Sequence, residues 1–186
     1  MRQVYAFIAG LLVAAGIAAS SLAAELASPA GPVVLTVHGN IAHSNRGPID
    51  PFMDAFFNSG NVKFDSAVSF DHAMLEKLGM HKLRAKYENW PQWVDFEGPL
   101  LRDVIRAAGA PSSQNGGQSI RVFAMDNYGA EIPVAEIEKY PVLLALKANG
   151  RWLGLGDRGP TWVVYPRDQF PELKVQDDAK WVWSAI

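Results

Sequence analysis

Apolar and polar positions along this chain fall into short blocks, and most of the apolar blocks read as strands. Val33-Val34-Leu35-Thr36-Val37 predicts a first strand, ended by Gly39-Asn40, and a polar, turn-rich stretch runs from Ile41 to Asp50. Phe52, Met53, Phe56 and Phe57 gather ahead of the segment Asp65 to Phe70, and predict core or cover for a sheet edge. Ser69 is placed to cap a helix from Phe70 to Leu78. Phe70, Met74, Leu75 and Leu78 would share one face, with Gly79 at the C′ position. Residues 81 to 88 predict an exposed strand, and Asn89 to Trp93 a loop that carries two tryptophans.

Phe96-Glu97-Gly98-Pro99 then leads into a second helix. Pro99 suits its first position, Leu100, Leu101, Val104, Ile105 and Ala108 form its apolar stripe, and Gly109 closes it. Pro111 to Gly117 reads as a connection, Ser119 to Met125 as a strand, and Asp126-Asn127 as the turn after it. Ile132-Pro133 opens a short helix that ends before Pro141. Val142 to Leu146 is a continuous apolar run, as a central strand requires. Asn149-Gly150 is the strongest hairpin signal, because both residues tolerate positive φ. Arg151-Trp152-Leu153 returns toward the loop Gly154-Leu155-Gly156-Asp157-Arg158-Gly159-Pro160, with a strand from Thr161 to Tyr165 behind it. Lys180 to Ser184 predicts a last strand, with Trp181 and Trp183 on one face. The expected fold is α+β: a mixed, mainly antiparallel β core with short helices.

The glycine loop fits G-x-G-x-x-G, yet a dinucleotide fingerprint must open a helix. Pro160 and the β-branched, aromatic run after it predict a strand instead. The loop reads as a ligand-approaching turn between strands, with an acid and a base at its tip.

One apolar block does not belong to the fold. Arg2, the run from Tyr5 to about Ala19, and the small residues Ser20-Ser21-Leu22-Ala23-Ala24 predict a secretory signal peptide over residues 1–24. Residues 25–32 read as a linker and 33–186 as a single domain, with the bacterial periplasm as its compartment. Of the 17 Lys+Arg, Arg2 leaves with the leader, so 16 face 19 Asp+Glu, a net charge of about −3. That balance argues against nucleic acid or an anionic membrane surface as partner. The chain has no cysteine, hence no disulfide, no thiolate nucleophile and no thiolate metal ligand.

No H-E-x-x-H, G-x-S-x-G, P-loop or C-x-x-C motif occurs. His38 and His43, five apart, predict structural or solvated histidines rather than metal ligands, as do His72 and His81. Asp177 and Asp178 lie in a charged surface stretch. The remaining chemistry is aromatic: Trp90 and Trp93 sit in a loop close to Glu97. An aromatic plate beside a carboxylate suits a flat heterocycle with adjacent N–H donors, such as a pterin or guanine edge.

Several segments together carry a resemblance. They are Phe96-Glu97-Gly98-Pro99-Leu100-Leu101 with Val104-Ile105 and Gly109, then Ala124-Met125-Asp126-Asn127-Tyr128 and Ile132-Pro133. Pro141 to Ala145, Asn149-Gly150, Gly159-Pro160 and Val163-Val164-Tyr165-Pro166 follow, with a weaker echo in Leu35 to Gly39. In order and spacing they resemble the molybdopterin-binding domain of the sulfite oxidase superfamily, over roughly residues 80 to 170. Enzymes of that family hold molybdenum through a cysteine thiolate and the cofactor's dithiolene. Without a cysteine, molybdenum loses its protein anchor and is not expected here. A pterin-shaped cleft without the metal is similar to small periplasmic proteins of the PruR type.

That resemblance implies a non-catalytic protein that binds a reduced pterin and signals to the periplasmic sensor region of a membrane-bound cyclic-di-GMP receptor. Carried onto this chain, Trp90, Trp93 and Glu97 would form one side of the pocket. Asp126, Asn127 and Tyr128 would line another wall, and Asp157, Arg158 and Trp162 would complete it. Either Glu97 or Asp157 would meet the pterin amino edge. The alternatives are a molybdopterin-dependent oxidoreductase subunit and a protein-interaction module without a small ligand.

Overall fold

The computed structural model describes residues 26–86, 90–112, 117–174, 180 and 182–186. The predicted leader over 1–24, Asn89, Asp177, Asp178, Trp181 and the Trp183 side chain lie outside them.

Antiparallel pairs build the molecule. β1 (Val33–His38) pairs with β2 (Ala67–Asp71), and β5 (Ser119–Phe123) with β6 (Gly129–Pro133). β3 (His81–Ala85), β4 (Val94–Gly98), β8 (Lys147–Ala148) and β9 (Arg151–Trp152) form a four-stranded sheet in that spatial order. β10 (Thr161–Val164) lies between β11 (Trp183–Ala185) and β7 (Leu143–Ala145). The other edge of β7 is also engaged. Leu144 N donates to Pro99 O at 2.9 Å and Leu146 N to Glu97 O at 2.8 Å. The apolar run predicted to be central is therefore hydrogen-bonded on both sides, to β10 and to the end of β4, and all three β7 residues are buried. The expected α+β, mainly antiparallel architecture stands.

The described residues include the short helices α1 (Ala55–Ser59), α2 (His72–Glu76), α3 (Leu101–Ala107) and α4 (Val134–Lys139). α3 buries Leu101, Val104 and Ile105, and α4 buries Val134 and Ile137. Among the described residues no helix is long and apolar enough to cross a membrane.

Several local expectations give way. Ser69 and Phe70 belong to β2, opposite Thr36 and Leu35, so the helix begins later and Asp71 caps it by accepting from Met74 N. Pro99 does not open α3, because its carbonyl is held by β7 and the helix starts at Leu101. Ile132-Pro133 ends strand β6, and α4 starts only at Val134. Phe52 and Met53 are neither core nor cover: they are 84% and 78% exposed. Asp50 Oδ1 accepts from both of their backbone N–H groups, and this turn carries the two side chains outward.

Candidate functional site

Trp162 is the fixed point of the site. It lies on β10 and is 5% exposed. Phe96 of β4 meets it edge-on, with ring centroids 5.0 Å apart at 85°. Trp90, from the loop before β4, packs on both, 5.4 Å from Trp162 and 5.9 Å from Phe96. The Arg158 guanidinium stands 5.0 Å from the Trp162 ring centre.

The glycine loop positions Arg158 and Asp157. Asp157 N and Gly159 N both donate to Gly154 O, at 3.0 and 3.1 Å, which closes a tight turn. Arg158 O accepts from Ser184 N at 2.8 Å and pins the turn to β11. Gly159 is required by close approach, because a Cβ there would lie 2.3 Å from Leu153 O. After the cis Gly159–Pro160 bond the chain enters β10, as the strand reading of the loop predicted.

Trp90, Asp157, Arg158 and Trp162 thereby border one cleft of about 500 Å³, together with Gln92, Arg151 and Trp152. Its wall is aromatic and its rim carries one carboxylate and two guanidinium groups. Trp162 Nε1 is buried and has no hydrogen-bond partner among the described residues, a donor in need of an acceptor. Trp152 is one of the members that sequence reasoning missed, with Gln92 and Arg151. It sits on β9, 43% exposed, with the His72 ring at 4.5 Å and Lys147 Nζ 4.1 Å from its own ring centre. Its signal was its place directly after the Asn149-Gly150 turn, where a two-residue return strand brings it opposite Lys147.

The other predicted residues lie elsewhere. Trp93 is 45% exposed beside Arg84 at 5.9 Å and does not border the cleft. Glu97 faces Lys82 across the β3–β4 ladder, with Nζ to Oε1 at 3.6 Å, and does not border it either. Asp126, Asn127 and Tyr128 form the β5–β6 turn: Asp126 Oδ1 accepts from Tyr128 N at 3.0 Å, and Asn127 has φ +66°. That hairpin docks on β11 through Met125 N to Ser184 O, and Asn127 borders a different cavity. Of the predicted pocket residues, Trp90, Asp157, Arg158 and Trp162 meet at this cleft, whereas Trp93, Glu97, Asp126, Asn127 and Tyr128 do not border it.

His38 stacks near Phe64 at 5.2 Å, and burial lowers its pKa. Among the described residues no group of three or more His, Asp or Glu side chains is arranged to hold a metal ion. The cleft suits a flat, hydrogen-bonding ring: aromatic faces, an acceptor in Asp157, and donors in Arg158 and Arg151.

A family model described as the oxidoreductase molybdopterin binding domain matches residues 67–183, which include the whole cleft. No curated protein matches the chain.

Proposed function

Because the chain belongs to the oxidoreductase molybdopterin binding domain family, we propose that its cleft holds the pterin part of such a ligand without the metal. In this reading the protein is exported to the periplasm. There it binds a reduced pterin and passes the ligand state to the periplasmic sensor region of a transmembrane cyclic-di-GMP receptor. The observation that carries the reading is the meeting of Trp90, Trp162, Asp157 and Arg158 around one cleft in a chain that has no cysteine.

Trp90 and Trp162 supply aromatic surface to the bicyclic ring, and Asp157 accepts from its adjacent N–H donors. Arg158 and Arg151 donate to its carbonyl or ring nitrogens. Stacking and paired hydrogen bonds contribute roughly 1–3 kcal/mol each. With apolar contact, they support affinities from micromolar to nanomolar. A pterin bound with molybdenum would supply oxygen-atom or electron transfer, but the thiolate that anchors that metal in the sulfite oxidase superfamily has no counterpart in this sequence. No redox step is therefore assigned to these residues.

Titration of the mature chain with 7,8-dihydrobiopterin tests the reading. Tryptophan quenching and a rise in melting temperature are expected. No quenching and no thermal shift at near-millimolar ligand would refute it. A second reading is a molybdopterin oxidoreductase subunit, which the family match supports no better than the first. Stoichiometric molybdenum in protein purified from its native compartment would establish that reading in place of the first.

A further inference from the structure

A second cavity, of about 400 Å³, shares no lining residue with the cleft. It is mostly apolar, with Val104 and Ile105 of α3 and Leu144 of β7 at its floor.

Two strands border it in an unusual way. Every residue from Leu35 to Ile41 and every residue from Gln118 to Ala124 touches the cavity. Successive side chains of a strand point to opposite faces, so a cavity touched by all of them lies along the strand's edge.

The hydrogen-bond phase shows what those edges present. In the β5–β6 hairpin, Val134 N donates to Gln118 O and Ala124 N to Tyr128 O. Even-numbered residues of β5 therefore bond to β6, and the N–H and C=O groups of Ser119, Arg121 and Phe123 point away from it. Of these, Phe123 O accepts from Ile186 N. In the β1–β2 pair, Ala67 spends its N–H and C=O on Arg46, and Ser69 spends its own on the Asn45 side chain. The β1 residues opposite them, His38 and Thr36, thus turn their peptide groups to the outer edge. Among the described residues, neither outer edge has a backbone partner beyond Phe123 O.

We propose that this cavity is a strand-addition site, in which an extended, apolar segment of a partner polypeptide pairs with the free edges of β1 and β5. An alkyl chain would fill the volume but leave peptide N–H and C=O groups facing apolar surface without partners, which is costly. A strand satisfies both requirements at once: its backbone bonds the edges, and its alternate side chains enter the cavity. A segment of about three residues matches the stretch of β5 from Ser119 to Arg121, whose outward backbone groups have no backbone partner among the described residues. The inference is independent of the pterin reading.

The test is selection of random hexapeptides displayed on phage against the full mature chain, followed by titration of the best binders as free peptides. Alternating apolar sequences are expected, and methylation of alternate peptide amides should weaken binding about tenfold or more. Arg121→Pro removes an outward N–H without breaking a bond to β6, and should weaken binding likewise. Three outcomes each overturn the proposal. They are no enriched peptide, equal binding of methylated and unmethylated peptide, and dodecanoate binding as tightly as the best peptide. The methylated peptide reads the unaltered protein, so a misfolded Arg121→Pro variant does not blunt the test.

Discussion

The rings of Trp90 and Trp162 lie 5.4 Å apart at 57°, one from an irregular loop and one from a buried strand. Phe96 packs against both rings, edge-on to Trp162 and tilted to Trp90. Trp90→Ala should reduce dihydrobiopterin affinity about tenfold through lost stacking and contact area. The melting temperature should fall only modestly, since Trp90 is not fully buried. Calorimetric titration of both proteins checks this, and equal affinities would remove Trp90 from the site.

Asp157 and Glu97 now separate as candidates for the ring's amino edge. Asp157 borders the cleft, whereas Glu97 faces Lys82. Asp157→Asn should cost roughly tenfold or more in affinity, the loss of charge-assisted hydrogen bonds. Glu97→Gln should leave affinity unchanged. The reverse pattern in the same titration would move the ligand to the β3–β4 face.

Elements with strong local signals were legible in the sequence. Asn149 and Gly150 have φ of +50° and +74°, and the apolar runs at Val142 to Leu146 and Thr161 to Tyr165 hold β7 and β10. What local pattern does not carry is register. Trp93 and Glu97 are close to Trp90 in sequence, yet the β3–β4 ladder puts Glu97 against Lys82 and leaves Trp93 beside Arg84. The placing of Asp126 to Tyr128 depends on the long-range docking of a hairpin onto β11, which no short spacing encodes. Trp152 enters the cleft for a similar reason, through a turn rather than a motif.

Gly98 is the tightest point between β4 and β7. A Cβ there would lie 2.0 Å from Leu144 O and 2.9 Å from Ala145 Cα, both backbone atoms. Gly98→Ala should destabilise the fold by about 3 kcal/mol, at the upper end for overpacking, because two strands rather than one side chain must move. Gly159→Ala, with Leu153 O at 2.3 Å, should also displace the Asp157-Arg158 turn and weaken pterin binding. Denaturant melts check the first and titration the second. A Gly98→Ala protein of unchanged stability would contradict the packing described.

Asp71 gives the fold an acid-sensitive latch. The carboxylate is buried at the β2–α2 junction, where Oδ2 accepts from Ala30 N and Gly31 N and Oδ1 from Met74 N, each at 2.8 Å. These bonds, those from Gly31 and Met74 foremost, hold its pKa below the ordinary value against the opposing effect of burial. A carboxyl whose pKa is lower in the folded than in the unfolded state stabilises fully above the unfolded value, near 3.9. That stabilisation fades as pH falls through the folded value. Asp71→Asn keeps one acceptor oxygen and loses the charge, and should cost about 1–2 kcal/mol at pH 7. The difference between the two proteins should then shrink as pH falls from the unfolded value, near 3.9, down through the lower folded one. Urea melts of both proteins from pH 7 to pH 2.5 decide the matter. Two stability curves that stay parallel across that range would mean the loss comes from packing at the junction, not from the charge on Asp71.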